Sequence, residues 1–158
     1  MIYDDLTKLN QDLSKEGRIM ALDIGTKTIG VAISDLSRTI STPKLTIKRK
    51  SNKADFLILE RIIKENSIQA IVIGLPLNMD DSESAMSKFV RKFTENFDQF
   101  LQNQKIIFAD ERLSTFVADE FISEFKMKKD RSKSVDQIAA SVVLQSVLDR
   151  LRPHNNRV

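Results

Sequence analysis

Three carboxylates stand where the surrounding apolar sequence makes them costly. Asp23 closes the run Ile19-Met20-Ala21-Leu22, with Ile24 on its far side. A carboxylate at the end of a buried strand is unfavourable unless it is paired or metal-bound; the plainer alternative is an acid capping the turn at Gly25. Asp110-Glu111 directly follows the apolar run Ile106–Ala109, at a strand C-terminus, where open α/β sheets bind ligands. Spacing leaves open which of the two enters a site, and a solvated pair with Arg112 would explain them as well. Asp136 lies in the first turn of the last helical pattern. Ser134 and Gln137 read there as a capping box, and an acid suits the helix dipole. Yet Val135, Ile138, Ala139, Val142 and Val143 surround Asp136 with core positions, so it can also face inward.

Taken together, the three acids suit one kind of chemistry. Hard divalent ions such as Mg²⁺ bind a few carboxylates and keep waters for substrate phosphates. Two such ions roughly 3.5–4 Å apart can activate water and stabilise the leaving oxygen of a phosphodiester. If the chain is an enzyme, carboxylates, hydroxyls, lysines and arginines must do the work. It has no cysteine, which excludes disulfides, thiolate nucleophiles and Cys-based zinc sites. Its one histidine, His154, sits in the polar tail 152–158, so neither imidazole catalysis nor a multi-histidine metal site is expected.

The elements that must position these acids follow from periodicity. Arg18–Ile24 and Thr28–Ser34 read as strands, and Gly25-Thr26-Lys27 is too short for a crossover, so they form an antiparallel hairpin. Ile40–Lys48 reads as a third strand, with Pro43 at a sheet edge. Asp55–Asn66 is helical, with Phe56, Leu59, Ile62 and Ile63 on one face. Gln69–Ile73 is continuously apolar, as in a parallel strand buried on both faces. Asp80, with Glu83 three residues on, reads as the cap of the next helix, along which Met86, Phe89, Val90, Phe93, Phe97 and Leu101 recur. Lys105–Ala109 is a further buried strand, and helices at Thr115–Phe125 and Val135–Leu151 complete the pattern. Hairpin strands followed by right-handed crossovers predict a mixed five-stranded α/β sheet with helices on its faces. Before it, Ile2, Leu6, Leu9 and Leu13 at helical spacing predict an amphipathic helix over Met1–Gly17, closed by Gly17 and packed on the domain 18–151. It could cover a sheet edge or mediate dimers.

The length of 158 residues suits one domain with a real core. No apolar run is long enough to cross a bilayer, and the acidic N-terminus is no signal peptide. A cytoplasmic protein is expected. A net charge of +3 is compatible with a polyanionic partner.

Four segments in register resemble the YqgF/RuvX family, Holliday-junction resolvase-like proteins also described as maturation nucleases of pre-16S ribosomal RNA. They are Ala21-Leu22-Asp23-Ile24-Gly25-Thr26-Lys27-Thr28-Ile29-Gly30-Val31-Ala32 with Ser34-Asp35; Ile73-Gly74-Leu75-Pro76-Leu77-Asn78-Met79-Asp80; Asp110-Glu111-Arg112-Leu113-Ser114-Thr115; and Val135-Asp136 with Ala139-Ala140. The resemblance covers almost all of Arg18–Leu151. It implies an RNase H-like fold, two-metal phosphodiester cleavage with Mg²⁺ or Mn²⁺, and a catalytic, metal-holding triad of Asp23, Glu111 and Asp136. It thereby selects Glu111 over Asp110. Thr28 departs from the basic residue usual in the family, and Asp81 and Ser84 replace glycines.

Lys27, Arg112, Lys128, Lys129, Arg131 and Lys133 are the candidate phosphate contacts. Lys27 and Arg112 flank the acids in sequence, and the basic run Lys126–Lys133 leads into Asp136. Asn78, after the Gly74-Leu75-Pro76 turn, is the candidate to reach substrate there. Lys48-Arg49-Lys50 and Lys53 read as an ordinary polar loop, and the phenylalanines as helix-face core. The function implied is an endonuclease acting on the end of pre-16S ribosomal RNA, alone or in a ribosomal precursor particle, as monomer or homodimer. The rivals are a nuclease for junction DNA and a non-catalytic nucleic-acid-binding module. Asp-x-Gly-Thr also resembles the first phosphate loop of actin- and sugar-kinase-like ATPases. Those need two lobes, for which this chain is too short.

Overall fold

In the computed structural model, which describes residues 1–80, 82–111 and 135–151, the apolar runs become the strands β1 (Ile2–Tyr3), β2 (Arg18–Ile24), β3 (Thr28–Ser34), β4 (Ser41–Lys48), β5 (Ile68–Leu75) and β6 (Lys105–Asp110). The helices are α1 (Leu6–Asp12), α2 (Asn52–Asn66), α3 (Ala85–Leu101) and α4 (Val135–Leu151). The expected helix at Thr115–Phe125 lies outside the described residues.

The strands form a single sheet in the order β1-β6-β5-β2-β3-β4. Gly25 N–H donates to the Thr28 carbonyl at 2.8 Å, and this tight turn folds β3 back antiparallel on β2. β4 continues the antiparallel run and ends the sheet there, with a register shift beside Pro43. A proline tolerates an edge because no ladder donor is missed. β5 and β6 return parallel to β2, each reached by a helical crossover. The continuous apolar run of β5 has the predicted cause, since it is buried on both faces at the centre of the sheet.

Two hydrophobic layers sandwich the sheet. Met20, Leu22, Ile24, Ile71, Ile73 and Ile106 pack against Phe56, Leu59, Phe93 and Phe97 of α2 and α3. On the other face Ile19, Ala21, Ala70, Val72 and Ile107 pack under Val143, Leu144, Val147 and Leu148 of α4. Phe56, Phe93, Phe97 and Phe100 form a ring cluster with stacked, tilted and edge-to-face pairs whose centroids lie 5.0–5.9 Å apart. Phe56, Phe93 and Phe97 are core, as their spacing indicates, whereas Phe89 and Phe100 of α3 are exposed.

Three expectations are corrected. The sheet has six strands because Met1–Gly17 is not one helix. Asp5 accepts from Thr7 N–H at 2.9 Å and so caps the helix at Leu6. The residues before it extend alongside β6, with Ile106 N–H donating to the Met1 carbonyl at 2.9 Å. The helix ends at Asp12, so Gly17 does not close it. The segment therefore covers the β6 edge. Ser84, not Asp80, caps α3, its hydroxyl accepting from Ser87 N–H at 3.1 Å. Asp80 instead accepts from Ser82 within the preceding loop. Lys48 and Lys53 belong to β4 and α2, so the polar loop between them is confined to Arg49–Ser51.

Candidate active site

Successive side chains on a strand point to opposite faces. In β2, Ile19 and Ala21 belong to the layer under α4, and Asp23 continues their row. In β5, Ala70 and Val72 share that layer, which puts Gly74 on the same face. In β6, Ile107 belongs to it and Ala109 packs against it, so Glu111 follows in line. Asp110 falls in the row of Ile106 and Phe108, on the opposite face. Alternation counted along β6 thus separates the two acids physically.

Close approaches then bring the acids together at the C-terminal ends of β2, β5 and β6. The Glu111 side chain lies across Gly74: a Cβ on Gly74 would stand 2.2 Å from Glu111 Oε1. Its backbone is held by Glu111 N–H donating to the Leu75 carbonyl at 3.2 Å. The Glu111 side chain comes within hydrogen-bonding reach of the Asp23 carboxyl. The first turn of α4 sits on Gly30, where a Cβ would come 2.1 Å from the Asp136 carbonyl oxygen. Gly30 is the cross-strand partner of Asp23, so this contact sets Asp136 beside Asp23. Thr28 Oγ1 donates to Asp136 Oδ2 at 2.6 Å. This hydroxyl orients one Asp136 carboxylate oxygen.

Electrostatics follow from this crowding. Burial pushes Glu111 up from 4.5 to about 8; the adjacent Asp23 carboxylate, the hydrogen bond to it and Asp110 add to the rise. Burial also raises Asp23, against the Glu111 hydrogen bond that lowers it, and the Asp136 charge raises it further. Burial and mutual repulsion make it costly to ionise Asp23, Glu111 and Asp136 together without a compensating cation. Such an oxygen donor set fits a hard divalent cation, with Asp23, Glu111 and Asp136 as the groups that could hold it. Among the described residues no group of three or more acids, histidines or cysteines stands close enough to hold a metal ion in this arrangement; a Mg²⁺ site completed by water and substrate phosphate needs only one or two protein carboxylates.

The sequence profile of the Holliday junction resolvase RuvX family matches residues 17–150. The chain belongs to the RuvX family. A Cereibacter sphaeroides relative named "Putative pre-16S rRNA nuclease" is 41% identical over 152 residues, covering 96% of this chain and 94% of its own. A relative of the same name from Rhodobacter capsulatus is 43% identical over 152 residues, covering 96% and 95%. In fold, the chain is similar to Thermus thermophilus RuvC in complex with a Holliday junction substrate, with a TM-score of 0.57 at 6% identity, covering 85% of this chain and 96% of that one. It is also similar to the fowlpox virus resolvase in complex with Holliday junction DNA, with a TM-score of 0.55 at 18% identity and coverage of 86% and 99%. The mixed sheet and flanking helices are thus the RNase H-like architecture expected for a RuvX nuclease.

Of the other candidate residues, Lys27 is exposed on the β2–β3 turn beside the acids. Asn78 is exposed, but its amide donates to Ser82 Oγ at 3.0 Å and helps close its own loop. Arg112, Lys128, Lys129, Arg131, Lys133 and the cap residue Ser134 lie outside the described residues. Sequence reading missed the Thr28–Asp136 bond and the two glycine contacts. A glycine inside a strand pattern signals close approach by something, which Gly30 and Gly74 both display, without naming what approaches.

Proposed function

We propose that this RuvX chain is a divalent-metal-dependent endonuclease that trims the end of pre-16S ribosomal RNA, with Asp23, Glu111 and Asp136 as its metal-holding catalytic acids. The observation supporting this reading is the convergence of Asp23, Glu111 and Asp136 on one face at the C-terminal ends of β2 and β6, with Glu111 packed across Gly74 and the start of α4 packed on Gly30. The names of the relatives support RNA as substrate.

Bound to these carboxylates, two Mg²⁺ or Mn²⁺ ions would supply an activated water and charge stabilisation at the leaving oxygen. The chain's own part is positional. Glu111 gives up its proton to become a full carboxylate. Thr28 holds Asp136 through Oδ2, and the Gly30 and Gly74 contacts keep all three acids on one face. Lys27, Arg112, Lys128, Lys129, Arg131 and Lys133 would contact phosphates, and Asn78 would contact substrate once released from Ser82. No helix among the described residues is long and apolar enough to cross a membrane; we place the protein in the cytoplasm, with its ribosomal substrate.

A second reading, cleavage of junction DNA, is favoured by the similarity in fold to two junction-bound resolvases. The test is cleavage of a pre-16S RNA end fragment and a four-way DNA junction, side by side, with Mg²⁺, Mn²⁺ or EDTA. Metal-dependent cutting of the RNA, reduced to background in Asp23→Asn, Glu111→Gln and Asp136→Asn, is expected. Preference for the junction would replace RNA with DNA. Binding without cutting under every metal would leave a non-catalytic module.

A further inference from the structure

Lys48 ends β4 directly opposite Thr28, whose hydroxyl holds Asp136. Cross-strand partners share a face, so Lys48 rises on the α4 side, beside the acids. Thr46, two residues earlier in the same row, supports this orientation by donating to Gln137 Oε1 of α4 at 3.4 Å.

The chain then turns inward at Arg49. Arg49 N–H donates to the Lys27 carbonyl at 2.9 Å, and its guanidinium donates to the Gly25 carbonyl at 3.4 Å and Asn52 Oδ1 at 2.5 Å. It also pairs with Asp55 at 3.1 Å and lies over the rings of Phe89 and Phe93, 5.5 and 5.0 Å from their centroids. Asp55 is fully buried and is the only acid between Lys44 and Leu59. Arg49 and Asp55 therefore cancel each other internally and clamp the Gly25–Lys27 turn to the start of α2.

That clamp leaves a cluster of like charges outside it. Lys27, Lys48, Lys50 and Lys53 are all exposed, and among the described residues none has an ion pair. The exposed N-terminus of the 15-residue helix α2 adds partial positive charge to the same rim. A polyanion drawn toward a pocket of three carboxylates needs compensating charge close by, and this rim supplies it on a rigid frame.

We propose that Lys27, Lys48, Lys50 and Lys53 form a phosphate track that grips the backbone of a double-helical arm flanking the cleaved bond. This rests on the nuclease reading above. It gives Lys48, Lys50 and Lys53 a role in substrate binding and assigns the β3–β4 side of Asp136 to the duplex arm. Phosphate contacts fix position and carry no sequence information, so the track suits an enzyme that recognises structure.

The test uses the full chain with Lys48→Gln, Lys50→Gln and Lys53→Gln combined, Lys27 being left intact. Binding to a short RNA duplex and to its DNA counterpart is measured in EDTA across a salt series. The slope of log affinity against log salt should fall by about 0.9 per lysine that contacts a B-form DNA phosphate, and affinity at low salt by at least ~10-fold. The corresponding lysine-to-arginine variant should restore both. In cleavage assays KM should rise while kcat holds. In the wild-type protein, bound duplex should also shield Lys48, Lys50 and Lys53 from acetylation, a reading that requires no variant to fold. Equal effects in both arms identify the shared phosphate backbone; an effect in one arm identifies RNA or DNA geometry. An unchanged slope and unshielded lysines, in a protein that binds and cuts normally, overturn the track alone. A wild-type protein that neither binds nor cuts nucleic acid overturns the nuclease reading, and the track with it.

Discussion

At the scale of single residues, the Asp23–Glu111 pair is the most informative feature. Two carboxyls pressed together in a partly dehydrated site cannot both ionise cheaply, so one keeps its proton. Glu111 is raised from 4.5 to about 8, which means the folded protein holds this proton to higher pH than the unfolded chain does. Folding is then linked to proton uptake, and stability of the metal-free protein falls as pH rises through that window. Below it, both states are protonated and the cost vanishes. Thermal unfolding in EDTA should show a midpoint that drops by several degrees between pH 5 and pH 8, and Glu111→Gln should flatten the drop. Mg²⁺ should recover much of the lost stability at the alkaline end, because a bound cation replaces the proton. A midpoint independent of pH in the wild-type protein would mean that neither carboxyl keeps its proton.

Among elements, the decisive contact is α4 against β3. Asp136 reaches the site because the first turn of α4 sits directly on Gly30, without an intervening side chain. Gly30→Ala would put a methyl group where the Asp136 carbonyl now lies, forcing the helix start away from the sheet. Misplacement of about 1 Å can cost ~100-fold in rate. Gly30→Ala is therefore expected to lose at least that factor in kcat while keeping its circular dichroism spectrum, since most of α4 is anchored further along by Val143, Leu144, Val147 and Leu148. Retained activity would show that the helix can start elsewhere and still deliver Asp136. The same logic applies to β5, where Gly74 clears space for the Glu111 side chain.

For the whole molecule, the sheet's weak point is the β6 edge. β1 is only two residues long, yet it pairs with β6, and the Met1 ammonium ties it to Asp98 at 2.5 Å. Tyr3 is 5% exposed and its hydroxyl donates to Asp12 at 2.6 Å, binding the strand to α1. An uncovered strand edge is a template for pairing with another chain. Removing residues 1–3 should leave β6 open and produce concentration-dependent association, visible by light scattering, at concentrations where the full chain scatters as a monodisperse species. A truncated protein that stays monodisperse would show that α1 covers the edge by itself.

How much of this was legible beforehand differs between fold and site. Local periodicity determined the elements: the Gly25 turn, the edge strand at Pro43, the doubly buried Ile68–Leu75 strand and the Phe-lined helices all follow from patterns within a few residues. The four segments in register pointed to the RuvX family and to Asp23, Glu111 and Asp136. Alternation along β6 could also have placed Glu111, rather than Asp110, on the face of Asp23, had the row Ile107–Ala109 been assigned a side. Other features depended on partners distant in sequence. β1 is too short to have a period, and only the open edge of β6, more than 100 residues away, makes it a strand. Asp80 and Ser84 are both good helix caps, and the choice fell to Ser84 because Asp80 is occupied by Ser82 in the preceding loop. Thr28 and Asp136 are 108 residues apart, and Arg49 reads as one more surface cation until Asp55 is found buried beside it. Sequence alone determined what each segment wants to become, because propensity and amphipathicity are local. The tertiary structure decided which charges neutralise one another and which stay outside such pairs, because Coulomb interaction and burial depend on distance in space.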